Sequence, residues 1–231
     1  MKKCLAVILA TILLCGIIPV ADASGFDFGD MFNSMYNNSS DIMPKNISLP
    51  KQFSITYEYV EDGKFKEVVM EKDENDNYHY KDSEDEYLFI KDGKGYKIAI
   101  GTVNGFAYKN NDKYTLDHVK ELTKRFWLCA TPLEDDFTMG TTTEEGSGEI
   151  CGRKTNKFKV DLGFGYNFGG YSMSMSEATY YEFDQETGIC LASSSNEDVN
   201  VMGMNAGDGE KAGFECTRFE LICNDLCQAP N

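Results

Sequence analysis

Phe53-Ser54-Ile55-Thr56-Tyr57-Glu58-Tyr59 is the stretch whose reading decides the fold. Large apolar side chains occupy every second position, and Ser, Thr and Glu fill the alternate ones. A strand turns successive side chains to opposite faces, so this segment reads as a strand with one buried face. Glu61-Asp62-Gly63 then supplies a turn, and Lys64 to Glu71 brings the chain back. The same pattern continues through Asn77 to Lys81, Glu86 to Lys91 and Gly95 to Ile100, with Asp92-Gly93 as a second hairpin turn. Tyr96, Ile98 and Ile100 alternate with Lys97 and Ala99, which puts all three on one face.

Downstream, one segment changes period. Leu116, Val119, Leu122 and Phe126 recur every three or four residues behind Thr115, which predicts a helix capped by Thr115 and running to Leu128. Glu121 and Arg125 are spaced to pair on its outer side. Strands are expected again at Phe137 to Thr142, Thr155 to Leu162, Thr179 to Asp184, Ile189 to Ser194 and Phe214 to Ile222. Between them lie a Gly- and aromatic-rich stretch, Gly163 to Met175, and an acidic, Gly-rich stretch, Asn196 to Ala212, read as an exposed loop. The fold class is mainly β with few helices (α+β). The expected form is an antiparallel, curved sheet around an apolar cleft with a helix packed against it.

Upstream, Met1-Lys2-Lys3 precedes an uncharged apolar run from Cys4 to Val20 and then Ala21-Asp22-Ala23-Ser24. A basic start, an apolar run and small residues at the cleavage positions are the marks of a secretory signal peptide, residues 1–23. The alternatives are an uncleaved anchor and a lipid attached at Cys15. Leu14 argues against the second, because a lipid-attachment site needs a small residue there. Residues 24–50 read as an N-terminal helix and linker, with Phe28, Met31, Phe32 and Met35 at helical spacing and Pro44 and Pro50 in the linker. Residues 51–231 read as one β-rich domain with a Cys-containing tail. Export places the chain in the secreted or cell-envelope fraction, with membrane contact only during transit.

Removing 23 of 231 residues leaves 208, enough for a sizeable core. Those 208 residues carry 20 basic against 37 acidic side chains, a net −17. Such a charge repels phosphate backbones and argues against nucleic acid as a partner. Six cysteines remain: Cys129, Cys151, Cys190, Cys216, Cys223 and Cys227. An even number in an exported chain predicts disulfides. Cys190 with Cys216, Cys223 with Cys227 and Cys129 with Cys151 is one of fifteen connectivities. The tail spacing C-x6-C-x3-C lacks the close Cys pair and nearby His of a structural zinc site.

The sequence offers no catalytic constellation. His79 and His118 are the two histidines, and both read as surface residues. There is no G-x-S-x-G, H-E-x-x-H or phosphate-binding glycine loop, so no cofactor is expected. Glu134-Asp135-Asp136 and Glu144-Glu145 read as solvated acidic segments. Asp73, Asn75, Asn77 and Glu84 fall at calcium-loop positions, but Tyr78 stands where that loop needs glycine. A polar hairpin turn is the expected reading.

Tyr180-Tyr181-Glu182-Phe183-Asp184-Gln185-Glu186-Thr187-Gly188-Ile189-Cys190-Leu191 resembles a hairpin of the periplasmic lipoprotein-carrier (LolA-like) superfamily and of related exported bacterial families. Gly152 to Phe158 resembles the strand that precedes it. The resemblance implies an antiparallel, strongly curved sheet or half-barrel with a helix packed on its concave face, in a non-enzymatic protein that holds a lipid or lipidated molecule in an apolar concavity. The residues expected to line such a groove are Phe53, Ile55, Tyr57, Tyr59, Tyr96, Ile98, Ile100, Leu122 and Phe126. The alternative is a structural or protein-interaction module of the cell envelope with no small-molecule ligand.

Overall fold

The computed structural model describes residues 47–104, 106–107, 112–132, 140–168, 171–201, 204–205 and 213–227. The signal segment, the helix expected after it, Glu134-Asp135-Asp136 and most of 202–212 lie outside these residues. The described strands are β1 (Phe53–Glu61), β2 (Lys64–Lys72), β3 (Tyr78–Lys81), β4 (Glu86–Asp92), β5 (Gly95–Val103) and β6 (Phe106–Ala107). Two helices follow, α1 (Leu116–Leu122) and α2 (Lys124–Ala130). The remaining strands are β7 (Thr141–Ile150), β8 (Arg153–Phe168), β9 (Tyr171–Asp184), β10 (Cys190–Val201), β11 (Met204–Asn205) and β12 (Gly213–Glu220). No described helix is long and apolar enough to cross a membrane.

All strands belong to one antiparallel sheet in the order β6-β5-β4-β3-β2-β1-β12-β10-β9-β8-β7, with β11 attached to β10. The path is open. Among the described residues it ends on β6 and β7, with no ladder joining those two edges. The strongly curved sheet or half-barrel expected from the sequence is corrected to a flat, open antiparallel sheet. The physical reason lies in the edge strands. A closing strand needs length and an inward apolar face, whereas β6 has two residues and β7, Thr-Thr-Thr-Glu-Glu-Gly-Ser-Gly-Glu-Ile, is mostly exposed. Glu144, Glu145 and a register irregularity beside Gly146 instead keep the β7 edge from pairing further.

Turn chemistry fixes the registers. Asp62 and Gly63 both have positive φ (51° and 69°), the backbone of a two-residue turn whose twist suits a hairpin. Cys151 and Gly152 (52° and 72°) form the equivalent turn between β7 and β8. The Gly- and aromatic-rich stretch becomes the end of one long hairpin, because β8 runs for 16 residues and pairs with β9 as far as Phe168 and Tyr171. The acidic stretch expected to be a loop begins as strand: β10 continues through Asn196 to Val201, paired with β9 down to Met173.

The expected single helix is broken at Thr123, which is fully buried and off helical geometry at φ −105°, ψ 36°. Its hydroxyl donates to the Val119 carbonyl (2.7 Å) and accepts from the indole Nε1 of Trp127 (2.9 Å). A β-branched residue that bonds back to the preceding turn competes with helix continuation. At the N-terminus, Thr115 and His118 form a reciprocal cap, His118 N donating to Thr115 Oγ1 and Thr115 N to His118 Nδ1. Arg125 does not pair with Glu121. It reaches Glu61 at 2.8 Å and stacks over Tyr59 at 4.3 Å, tying α2 to β1.

Candidate functional site

The face expected to hold a ligand is the helix-covered face of β1 to β5, and it is filled. Phe53, Ile55 and Tyr57 are fully buried, and Tyr59 and Tyr96 nearly so. Phe126 of α2 wedges between β1 side chains, its ring centroid 6.4 Å from that of Phe53 and 6.1 Å from that of Tyr57. Trp127 meets Phe126 edge-on at 5.2 Å. Leu122 and Ile98 are partly buried against the same cluster. Ile47 and Leu49 join it from the segment before β1, where Ser48 N donates to the Thr187 carbonyl.

Ile100 does not share this face. The β4–β5 register slips between Leu88↔Ile100 and Phe89↔Ile98, so Ala99 is an extra residue. One extra residue turns every later side chain over. Ile100 therefore lies opposite Leu88 on the outer face, 49% exposed, and Gly101 takes the inward position beside Tyr87.

The aromatic residues also cover one another. Tyr78 and Tyr96 meet at 5.7 Å, Tyr80 and Tyr87 at 6.3 Å, and Tyr87 and Phe89 at 5.6 Å. Their polar ends find partners, as buried Tyr requires. Tyr57 donates to the Cys190 carbonyl (2.8 Å), and Tyr80 to Asp82 Oδ2. Burial pushes the Tyr57 hydroxyl well above its ordinary value, so it stays a neutral donor. A second, smaller cluster of Phe158, Val160, Tyr181, Phe183 and Cys190 packs on β8–β10.

The opposite face carries the charge. In register across the sheet stand Glu220, Ser54, Glu71, His79 and Leu88. His79 Nδ1 lies 3.0 Å from Glu71 Oε2, and its Nε2 lies 3.0 Å from Glu86 Oε1. Ser54 Oγ donates to the other Glu71 oxygen at 3.1 Å. The hydrogen bond to Glu71 is the main force raising the His79 pKa, against the opposing effect of burial, and the same bond lowers Glu71. Sequence reading left His79 as an ordinary surface residue. Its place between two acidic strands was legible only once β2, β3 and β4 were put in register.

Other sequence candidates resolve into structural roles. Asp73 is buried and fully engaged: Oδ1 accepts from the backbone N–H of Asn75 and Asn77, and Oδ2 from Asn77 Nδ2 and Leu226 N–H, at 2.8–3.1 Å. Its oxygens hold the β2–β3 turn and the C-terminal tail together. In the hairpin segment, Asp184 accepts from the backbone N–H and hydroxyl of Thr187 and from Nε and Nη2 of Arg153 (3.0 and 2.8 Å). Arg153 was missed from sequence because its partner lies 31 positions on. Among the described residues no group of three or more His, Cys, Asp or Glu is arranged to hold a metal ion.

The expected disulfides are corrected as well. All six cysteines are free thiols. Cys190 and Cys216 are not opposite each other, because the β10–β12 ladder starts at Ala192↔Glu215 beyond an irregularity between Cys190 and Ala192. Cys190 sits in the smaller apolar cluster and Cys216 in the larger one. Cys223 donates to the Asn224 carbonyl (3.3 Å), and Cys227 accepts from Asn77 Nδ2 (3.2 Å). Burial pushes the Cys129 thiol up to about 12. The exposed Cys151 lies 3.8 Å from Cys216, sulfur to sulfur, against about 2 Å for a bond.

Two open depressions mark the surface. One is lined by Ser147, Gly148, Glu149, Lys154 and Gln185, the other by Phe65, Val69 and five polar or charged residues. Neither is lined by any of the nine residues expected to form the groove. Comparison with known proteins adds little to this geometry. No protein-family model matches the chain, and no curated protein matches it. Among solved structures, the chain is similar to the Mycobacterium tuberculosis lipoprotein LppX at 12% identity and a TM-score of 0.33, over 76% of this chain and 89% of that one. At that level the likeness carries no argument, and the resemblance to the lipoprotein-carrier half-barrel falls with the half-barrel itself.

Proposed function

We propose that this chain is an exported, non-enzymatic structural or protein-interaction module with a filled interior and no small-molecule ligand. The observation that carries the reading is the seat of Phe126: a fully buried ring held between Phe53, Tyr57 and Trp127, where an acyl chain would have to lie. Apolar pockets that take ligands keep open space between their lining side chains. Here those side chains touch one another. The titratable groups that chemistry would draw on are also engaged in holding the fold, His118 in a helix cap, Asp73 in a turn and His79 between two strands. The N-terminal signal pattern supports export, and the acidic surface supports solubility outside the cell.

The test is native mass spectrometry of the purified protein, combined with solvent extraction and titration with a fluorescent fatty-acid analogue. The module reading expects the bare polypeptide mass, no stoichiometric extract and no saturable probe binding. A lipid recovered at one per chain and displaced by the probe would overturn it.

A further inference from the structure

The strand β3 is a narrow place in the sheet. It has four residues and meets β2 through four residue pairs and β4 through four, whereas β1 and β2 share nine and β4 and β5 share seven. On the inward side this seam is held by Tyr78 and Tyr80. On the outward side its one bridge to both neighbours among the described contacts is His79, with Glu71 of β2 on one ring nitrogen and Glu86 of β4 on the other. A neutral imidazole has one N–H, so in either tautomer one of its nitrogens turns a lone pair toward a carboxylate. Only the imidazolium donates to both. We propose that His79 is a proton-operated clamp, closing β2, β3 and β4 together on the outer face when protonated and releasing that seam when it loses the proton.

The surroundings favour the charged state. From β2 the ring faces Glu71, and from β4 it faces Glu86 and the apolar Leu88. From β1, Ser54 holds the second Glu71 oxygen. From β12, Arg218 also attracts Glu71, but its guanidinium is engaged with Glu220 at 2.8 Å. On β3 itself Lys81 stands two positions along, in register with Glu86. From the tail, burial first and then Glu71 raise the Cys223 thiol, which stays protonated and neutral. Two carboxylates thus converge on one ring that is about one-fifth exposed, and a neutral ring would leave one of them facing an acceptor.

The sign follows from the direction of the shift. A histidine whose folded pKa lies above its unfolded value of about 6.5 stabilises the fold fully below that value. The contribution is lost as pH rises through the folded pKa. Acidification therefore tightens the seam, opposite in direction to the usual loss of carboxylate pairing. Each unit by which the His79 midpoint exceeds 6.5 corresponds to about a tenfold change in the balance between closed and open seam.

The experiment is a carbon-detected or heteronuclear NMR titration of the His79 ring in the full chain, alongside urea unfolding at pH 5.5 and pH 8.5 for wild type, H79Q and E86Q. The His79 midpoint is expected above 6.5 in wild type and lower in E86Q. The gap in urea midpoint between wild type and H79Q is expected to shrink from pH 5.5 to pH 8.5. Taking the difference between two proteins at each pH cancels the common effect of the acidic surface. A wild-type midpoint at or below 6.5, or a gap that does not change with pH, would overturn the clamp. If H79Q does not fold, the wild-type and E86Q titrations decide alone.

Discussion

Replacing Phe126 by alanine tests directly whether the helix-covered face is filled or is a groove. The ring is fully buried and has three aromatic neighbours, Phe53, Tyr57 and Trp127, at centroid distances of 5.2 to 6.4 Å. Removing a buried phenyl ring loses its transfer free energy and leaves a cavity that the rigid sheet beneath cannot collapse to fill. Together these cost about 3–5 kcal/mol. With a urea dependence of about 2–3 kcal/mol per molar for a chain of this size, the unfolding midpoint should fall by roughly 1–2 M. Phe126→Leu keeps most of the volume and loses the ring contacts, so its cost should be nearer 1–1.5 kcal/mol. Both are read by urea titration followed through Trp127, the single tryptophan, with circular dichroism as an independent probe. A Phe126→Ala cost below about 1 kcal/mol would refute the reasoning, because a ring in a groove is removed at little expense.

Two further predictions concern the sheet. Ile98→Asp should destabilise by more than about 2 kcal/mol, since it places a carboxylate against the core, while Ile100→Asp should cost under about 1 kcal/mol on the exposed outer face; equal costs in paired urea titrations would deny the extra residue at Ala99. Burial alone would raise the Asp184 pKa, but bonds from Arg153 and Thr187 outweigh it and leave it below the usual carboxylate range. Its contribution is therefore present above the unfolded pKa of about 3.9 and lost as pH falls through the folded value, so the stability lead of wild type over Asp184→Asn should narrow as pH falls below about 4; a lead that stays constant on acidification would contradict the assignment.

Much of the fold was legible because local signals agreed with it. The alternation in Phe53 to Tyr59 does place Phe53, Ile55, Tyr57 and Tyr59 on one covered face, and Asp62-Gly63 does turn the chain between β1 and β2. What local signals do not carry is cumulative register. Ala99 is chemically ordinary, yet as an extra residue it inverts Ile100, and nothing in Gly95 to Ile100 announces it. The Thr123 break is of the same kind: Leu116 to Leu128 keeps a good helical period, and the interruption comes from a hydroxyl that prefers Val119 and Trp127 to its place in the helix. The expectation of a curved half-barrel failed for a global reason. Whether a sheet becomes a barrel depends on its two edge strands, and those are the segments with the weakest apolar pattern, Phe106–Ala107 and Thr141–Ile150.

The groove expectation rested on counting covering residues, and the count misrepresents what fills the space. The expected central helix, with Leu116, Val119, Leu122 and Phe126, and the expected N-terminal helix, with Phe28, Met31, Phe32 and Met35, would cover only part of a long apolar meander if each residue covers only what lies beneath it. The structure meets the deficit in two ways. The second helix, α2, buries Phe126, Trp127, Cys129 and Ala130, so Trp127 adds a ring that the expected apolar stripe did not count. The sheet also brings much of its own cover, because Tyr78, Tyr80, Tyr87 and Tyr96 meet one another along the surface and shield it. A tyrosine-rich face can thus be closed by fewer covering residues than an aliphatic one, since each ring occupies area as well as depth. By the same logic the groove reading depended on side-chain identity more than on helix number: had Tyr78, Tyr80, Tyr87 and Tyr96 been valines, the same two helices would have left open the cleft that the alternation implied.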